Sequence, residues 1–171
     1  ICQFIGHDKY GDEGKVMGLA PYGNPAYEDF FDQLVQLKPE GAFELNLDYF
    51  IHHSEGVDYS FDQAGHPTVA PLYSEAMIKT FGTPRRRGDE LTQRDKDLAA
   101  SLQQCLEKVY FHVLRHLHVQ TGCENLCLGG GVALNSVANG KIFDQTPFRR
   151  VFTHPAATDD GTAIGAAFFV H

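Results

Sequence analysis

The sequence predicts an α/β domain, and three observations predict it. After Gly122 the chain runs strand, glycine turn, helix and then repeats that order. NLCL from Asn125 passes through Gly129-Gly130-Gly131 into a helical pattern, and a strand near Arg149 to Thr153 passes Gly161 into another. Such an order places strands side by side with ligands gathered at their carboxyl ends. A long amphipathic helix precedes the repeat, and 171 residues suffice for one sizeable core but hardly for two.

Each element has its own local reason. Gly11 to Gly23, GDEGKVMGLAPYG, has acids at its start and a Pro-Tyr-Gly turn at its end, which predicts a short helix with Asp12 and Glu13 at its positive terminus. Asn24 and Pro25 read as an N-cap and first helical position. Tyr27, Phe30, Phe31, Leu34 and Leu37 then recur at helical spacing, predicting a helix over 24–37 that Pro39 ends. Phe43 to Phe50 alternates like a strand, and the polar stretch from His52 to Thr68 reads as a loop or hairpin. The longest helical pattern runs from Leu91 to Gly122, opened by Thr92 with Asp95 three residues on. Leu98, Leu102, Cys105, Leu106, Val109, Val113 and Leu117 form its predicted apolar stripe. There follow a strand at Asn125 to Leu128, a helix at about Ala133 to Phe143, a strand at about Arg149 to Thr153 and a helix from Gly161.

Bulk properties narrow the partners. No apolar run approaches the ~18 residues of a membrane helix, so no membrane partner is expected. A net charge of −8 argues against nucleic acid, whose phosphates recruit basic faces. The one basic cluster, Arg85 to Arg87, reads as a solvated loop or a phosphate contact. Cys2, Cys105, Cys123 and Cys127 are too few and too scattered for a disulfide scaffold and lack the paired CxxC spacing of structural zinc sites. A reducing, cytoplasmic setting is the expectation. The opening ICQFIGHDKYG has neither an initiator Met nor a signal-peptide layout, and the chain reads as a piece of a longer protein.

Several stretches could carry chemistry. A strand feeding through Gly129, Gly130 and Gly131 offers unhindered backbone N–H groups to a nucleotide, with Asn135 one turn further on. Neither G-x-G-x-x-G nor a Walker loop is present, and tight helix-on-sheet packing explains glycines equally well. HPAATDDGTAIGAA, from His154 to Ala167, repeats the arrangement with Asp159 and Asp160 as helix caps or as hard oxygen ligands beside a phosphate. Asp12, Glu13 and Lys15 offer hydroxyl acceptors for a sugar and a cation for a phosphate, or simply a solvated helix start. His112 and His116 have the i, i+4 spacing of metal ligands but fall on the helix's polar side if Val113 and Leu117 are buried. His52-His53 reads as a surface turn.

Taken in order, GDEGKVMGLAPYGNP, FGTPRRRGDELTQRDKDLAASLQQCLEKV, NLCLGGGVALNSVANGKI and HPAATDDGTAIGAA resemble consecutive blocks of the O-carbamoyltransferases of the nodulation and antibiotic-tailoring type. The resemblance runs from about residue 10 to 167. It implies part of an actin-like ATPase fold, of the ribonuclease-H-like, sugar-kinase and Hsp70 type, with residues 1–171 forming a single partial domain of a longer protein. It implies transfer of a carbamoyl group from carbamoyl-adenylate, made from carbamoyl phosphate and ATP, to a hydroxyl of a sugar-containing small molecule such as a nodulation factor or antibiotic. By the same resemblance Gly129, Gly130, Gly131 and Asn135 would hold the adenosine part, with Val132 a further cofactor contact. Glu13 and Lys15 would lie near ribose and phosphate, Lys15 and Asp159 would serve the transfer, and Asp159 would be a metal ligand. A divalent metal, iron(II) as the expected ion with manganese or zinc also suited, would polarise the mixed anhydride. The family's other ligands are a histidine pair in an earlier segment, and here His7 stands alone. These residues by themselves, without the remainder of the chain, are therefore expected to be inactive. The rival readings are a transfer-RNA threonylcarbamoyl-transferase-like protein, a sugar kinase, and a non-catalytic nucleotide-binding or scaffold domain of the same fold.

Overall fold

The structure is a computed structural model that describes residues 1–9 and 11–170. It is an α/β chain dividing into two compact units, Ile1–Lys108 and Val109–His171. Its strands pair two by two into three small sheets among the described residues. No helix there is long and apolar enough to cross a membrane.

In the N-terminal unit, α1 (Glu13–Leu19) continues into a single 3₁₀ turn at Ala20–Tyr22, as the acidic start and Pro-Tyr-Gly end predict. The next helix, α2 (Glu28–Leu34), is shorter than predicted. Asn24 and Pro25 do not start it, because their neighbourhood is held by α5 (Gln93–Thr121) instead. Asn24 N donates to Asp97 Oδ1 at 2.8 Å and Tyr27 N to Ser101 Oγ at 3.1 Å. Val35–Leu37, read as the helix's tail, is strand β1, paired antiparallel with β2 (Phe43–Leu45). A short helix, α3 (His52–Glu55), takes in His52-His53, and a hairpin follows from β3 (Tyr59–Phe61) and β4 (Pro67–Val69). The sequence reading missed α4 (Glu75–Phe81), whose signal is Ser74: its Oγ accepts from Ala76 N at 3.2 Å. The unit's core gathers Phe4, Ile5, Phe31, Leu34, Met77, Phe81 and Leu98, all nearly or fully buried.

The predicted start of α5 is present as a reciprocal cap. Asp95 Oδ2 accepts from Thr92 N at 2.9 Å and from Thr92 Oγ1 at 2.7 Å, while Arg94 pairs with Asp95 Oδ1 at 3.2 Å. Desolvation pushes the wholly buried Asp95 carboxyl up, but the bonds from Thr92 and Arg94 outweigh it and hold it below its ordinary value. Asp95→Ala should therefore cost about 2 kcal/mol in urea unfolding at neutral pH. Because the folded value is depressed, this stabilisation is complete above the unfolded carboxylate value, about 3.9, and is lost as pH falls through the folded one. The gap between variant and wild type should accordingly close in acid; a gap that persists unchanged at pH 2 would sink the account.

In the C-terminal unit, Phe111 and Leu114 of α5 pack with Leu126, Ile142 and Phe148. Val113 and Leu117, predicted to be buried, are 37% and 40% exposed. A broad apolar stripe does not say which of its edges meets the sheet. Strand β5 is Asn125–Leu128, as predicted, and lies parallel to β6 (Arg150–Thr153), with Leu128 opposite Thr153. The single helix predicted over about 133–143 is instead a 3₁₀ turn at Gly131–Leu134, then α6 (Ser136–Asn139) and α7 (Ile142–Gln145). Asn135 causes the first break: its φ, ψ of −74°, 88° are not helical, and its side chain caps the next piece. The chain closes with α8 (Gly161–Val170), which buries none of its residues.

Candidate functional site

Parallel pairing of β5 with β6 sets their carboxyl ends side by side, and the loops that follow the two strands leave from that one end. They meet directly: Gly130 N donates to Ala157 O at 2.6 Å. The structure thus brings together the two motifs that the sequence singled out in this half of the chain, Gly129 to Asn135 and His154 to Asp160.

The three glycines differ. Gly130 has φ +92°, a left-handed conformation that side chains rarely adopt, so the turn itself requires it. Gly129 and Gly131 lie outside that region, and a Cβ added to any of the three would meet nothing within 4 Å. Among the described residues nothing crowds Gly129 or Gly131, so helix-on-sheet packing within them does not call for either glycine. What they leave is an open strand end with exposed backbone, beside Val132, which is 53% exposed. Asn135 has a structural task here, its Oδ1 accepting from Ala138 N at 3.0 Å.

Asp159 and Asp160 are exposed, and neither side chain caps α8; it is the Asp159 carbonyl that accepts from Thr162 N at 3.0 Å. The loop is held by a residue that the sequence reading passed over. His154 Nδ1 lies 3.0 Å from Ala156 N and 3.0 Å from Ala156 O, folding the Pro155-Ala156 step back on the strand end. Only the His-Pro pair hinted at it. Among the described residues no group of three or more His, Cys, Asp or Glu is placed to hold a metal ion. Asp159 offers a single exposed carboxylate, so these residues do not fit a complete divalent-metal site.

In the N-terminal unit, Glu13 is exposed at the first position of α1 and Lys15 lies two residues on. Asp12 holds the N-cap position without capping the helix. Its carboxylate instead pairs with Lys15 Nζ at 2.6 Å, accepts from Lys9 N at 3.2 Å and meets Arg87 Nη2. Desolvation pushes the Asp12 carboxyl up, but the bonds from Lys15, Lys9 N and Arg87 prevail and hold it below its ordinary value. Arg85 to Arg87 are therefore no free solvated loop: Arg87 Nε also donates to Asp8 Oδ1 at 2.6 Å.

Parallel strands whose following loops are joined at the carboxyl ends, in a chain of mixed helices and strands, define an α/β protein. The chain belongs to the carbamoyltransferase N-terminus family, which matches residues 1–168. It is 41% identical over 169 residues to an uncharacterized protein of Synechocystis sp., covering 98% of this chain and 25% of that protein. It is 38% identical over 169 residues to nodulation protein NolNO of Sinorhizobium fredii, covering 98% of this chain and 21% of NolNO. To nodulation protein NolO of Bradyrhizobium diazoefficiens it is 39% identical over 160 residues, covering 93% of this chain and 25% of NolO. The chain spans about a quarter of the length of these curated relatives.

Proposed function

We propose that this chain supplies the nucleotide-binding part of an O-carbamoyltransferase of actin-like fold, working in the cytoplasm with the remainder of its polypeptide. Its donor is carbamoyl-adenylate, made from carbamoyl phosphate and ATP, and its acceptor is a hydroxyl on a sugar-containing small molecule such as a nodulation factor or antibiotic. The observation that carries the reading is the pair Gly129 and Gly131, which lie outside the left-handed region and have empty space where no contact among the described residues asks for glycine. A flat adenosine laid against that backbone would use the space. The membership of a carbamoyltransferase family and the nodulation relatives favour carbamoyl as the group transferred.

In the transfer, the acceptor oxygen attacks the carbamoyl carbon, the bond from that carbon to the phosphate oxygen breaks, AMP leaves, and the hydroxyl proton passes to solvent or a base. Residues of this chain serve the leaving side. Backbone at Gly129 to Val132 would hold the adenosine, and Glu13 and Lys15 keep the roles that the family resemblance implies for them, near a ribose hydroxyl and a phosphate. Asp159 could be at most one ligand of the expected metal.

Calorimetric titration with AMP, ATP and GMP tests the reading. Adenine nucleotides should bind and GMP should bind at least tenfold more weakly. Asp159→Ala should leave metal-free AMP affinity within about twofold, since its carboxylate is exposed and bonds to no neighbour among the described residues. An AMP affinity that rises with iron(II) or manganese and loses that rise in Asp159→Ala would place an ion there. No adenine-nucleotide binding by the folded protein would end the proposal in favour of a scaffold without chemistry.

A further inference from the structure

The loop that carries Arg87 is a built platform. Arg85 N donates to Phe4 O at 3.0 Å and Arg85 Nε to Ile5 O at 2.7 Å, while Arg86 N donates to Asp89 Oδ2 at 3.1 Å. Gly6, at φ +76°, lets the loop lie close: a Cβ there would stand 2.9 Å from Arg85 O. From this platform Arg87 bridges Asp8 and Asp12. Asp12 is 4% exposed, whereas the Lys15 side chain that shares it is 57% exposed. One buried carboxylate therefore has two cations, Arg87, which also pairs with Asp8, and Lys15, whose side chain is the more exposed.

We propose that Arg87 is a positioning residue for Lys15, acting through Asp12. This rests on the reading that Lys15 meets the phosphate of the bound nucleotide. To reach a phosphate that lies beyond bonding range of Asp12, the Lys15 ammonium has to give up its contact with that carboxylate. A nearly buried carboxylate stripped of its last cation is costly, so with Lys15 alone the ion pair would hold. Arg87 keeps Asp12 neutralised when Lys15 departs, and so makes the ammonium deliverable. The FGTPRRRG block thus serves the GDEGK block from 75 residues away, without touching the ligand itself.

Affinities for AMP and for adenosine, which lacks the phosphate, read this directly. Lys15→Ala, Arg87→Ala and Arg87→Gln should each weaken AMP about tenfold, the worth of one charge-assisted hydrogen bond, and leave adenosine unchanged. Lys15→Ala with Arg87→Ala should be no worse than Lys15→Ala alone. The pair Asp12→Asn with Arg87→Gln removes the buried charge and its partner together; it frees Lys15 and should restore AMP to at least the wild-type affinity. If Lys15→Ala weakens AMP while the Arg87 variants do not, or if the neutral pair stays as weak as Arg87→Gln, the inference is overturned and the phosphate reading stands. If Lys15→Ala leaves AMP unchanged, the phosphate reading itself fails and the inference with it. If the Arg87 variants and the neutral pair all lose adenosine along with AMP, Arg87 is structural and the inference is overturned.

Discussion

Gly131→Leu should abolish adenine-nucleotide binding, by a hundredfold or more, while leaving the protein at least as stable as wild type. The two halves of this expectation have separate causes. A Cβ at Gly131 meets nothing within 4 Å, and the residue's φ lies outside the left-handed region. It also opens the 3₁₀ turn at Gly131–Leu134, so a residue with a side chain loses less entropy on folding there, worth about 0.4–1 kcal/mol. The same side chain would project from the exposed backbone at the carboxyl end of β5, where the adenosine is proposed to lie. Gly130 is the poorer position for this test, because its φ of +92° strains any replacement whether or not a ligand binds. Calorimetry with AMP and a parallel urea melt would separate the effects. Wild-type affinity in a stable Gly131→Leu protein would mean that the glycines do not make room for the nucleotide.

What the sequence disclosed and what it hid follow a physical line. Signals whose cause is local were legible. Thr92 and Asp95 are three residues apart and close their cap within one turn, and the apolar NLCL predicts the strand it forms. The meeting of the Gly129 and Asp159 loops followed from strand order, because parallel neighbours must end together. Signals settled by distant partners mislead. Asn24-Pro25 has the wording of a helix start, yet Asp97 and Ser101, more than 70 residues on, take the backbone N–H groups of Asn24 and Tyr27. Val35 and Leu37 suit a helix or a strand, and only pairing with Leu45 and Phe43 decides. Asp12 looked like a solvated acid at a helix terminus; its burial and its bond to Arg87 depend on a loop that the sequence alone does not place. Candidate residues are thus easier to nominate from sequence than their partners are.

Phe81→Ala should cost about 3–5 kcal/mol, a large share of the roughly 5–15 kcal/mol that holds a typical domain together. Phe81 ends α4 and is 6% exposed. Its ring meets Phe30 edge-on at 4.4 Å, Tyr27 at 5.2 Å and Phe4 at 5.8 Å between centroids. Edge-to-face pairs add to the area buried, and three rings oriented around a fourth cannot all close on the space left by alanine. The residue's backbone is engaged as well, its carbonyl accepting from Arg94 Nη1 at 3.0 Å. Phe61, 65% exposed on β3, is the control: Phe61→Ala should stay within about 0.5 kcal/mol. Urea unfolding followed by far-ultraviolet circular dichroism measures both, and a Phe81→Ala loss below about 1 kcal/mol would refute the cluster as the unit's keystone. The consequence reaches the site, because the chain passes from Phe81 directly into the loop of Arg85 to Arg87. Loosening this cluster should free that loop from Phe4 and Ile5 and, with it, the Arg87 bridge to Asp12. Under conditions where Phe81→Ala is still mostly folded, its AMP affinity should therefore fall further than its adenosine affinity, in the same direction as in Arg87→Ala and by less.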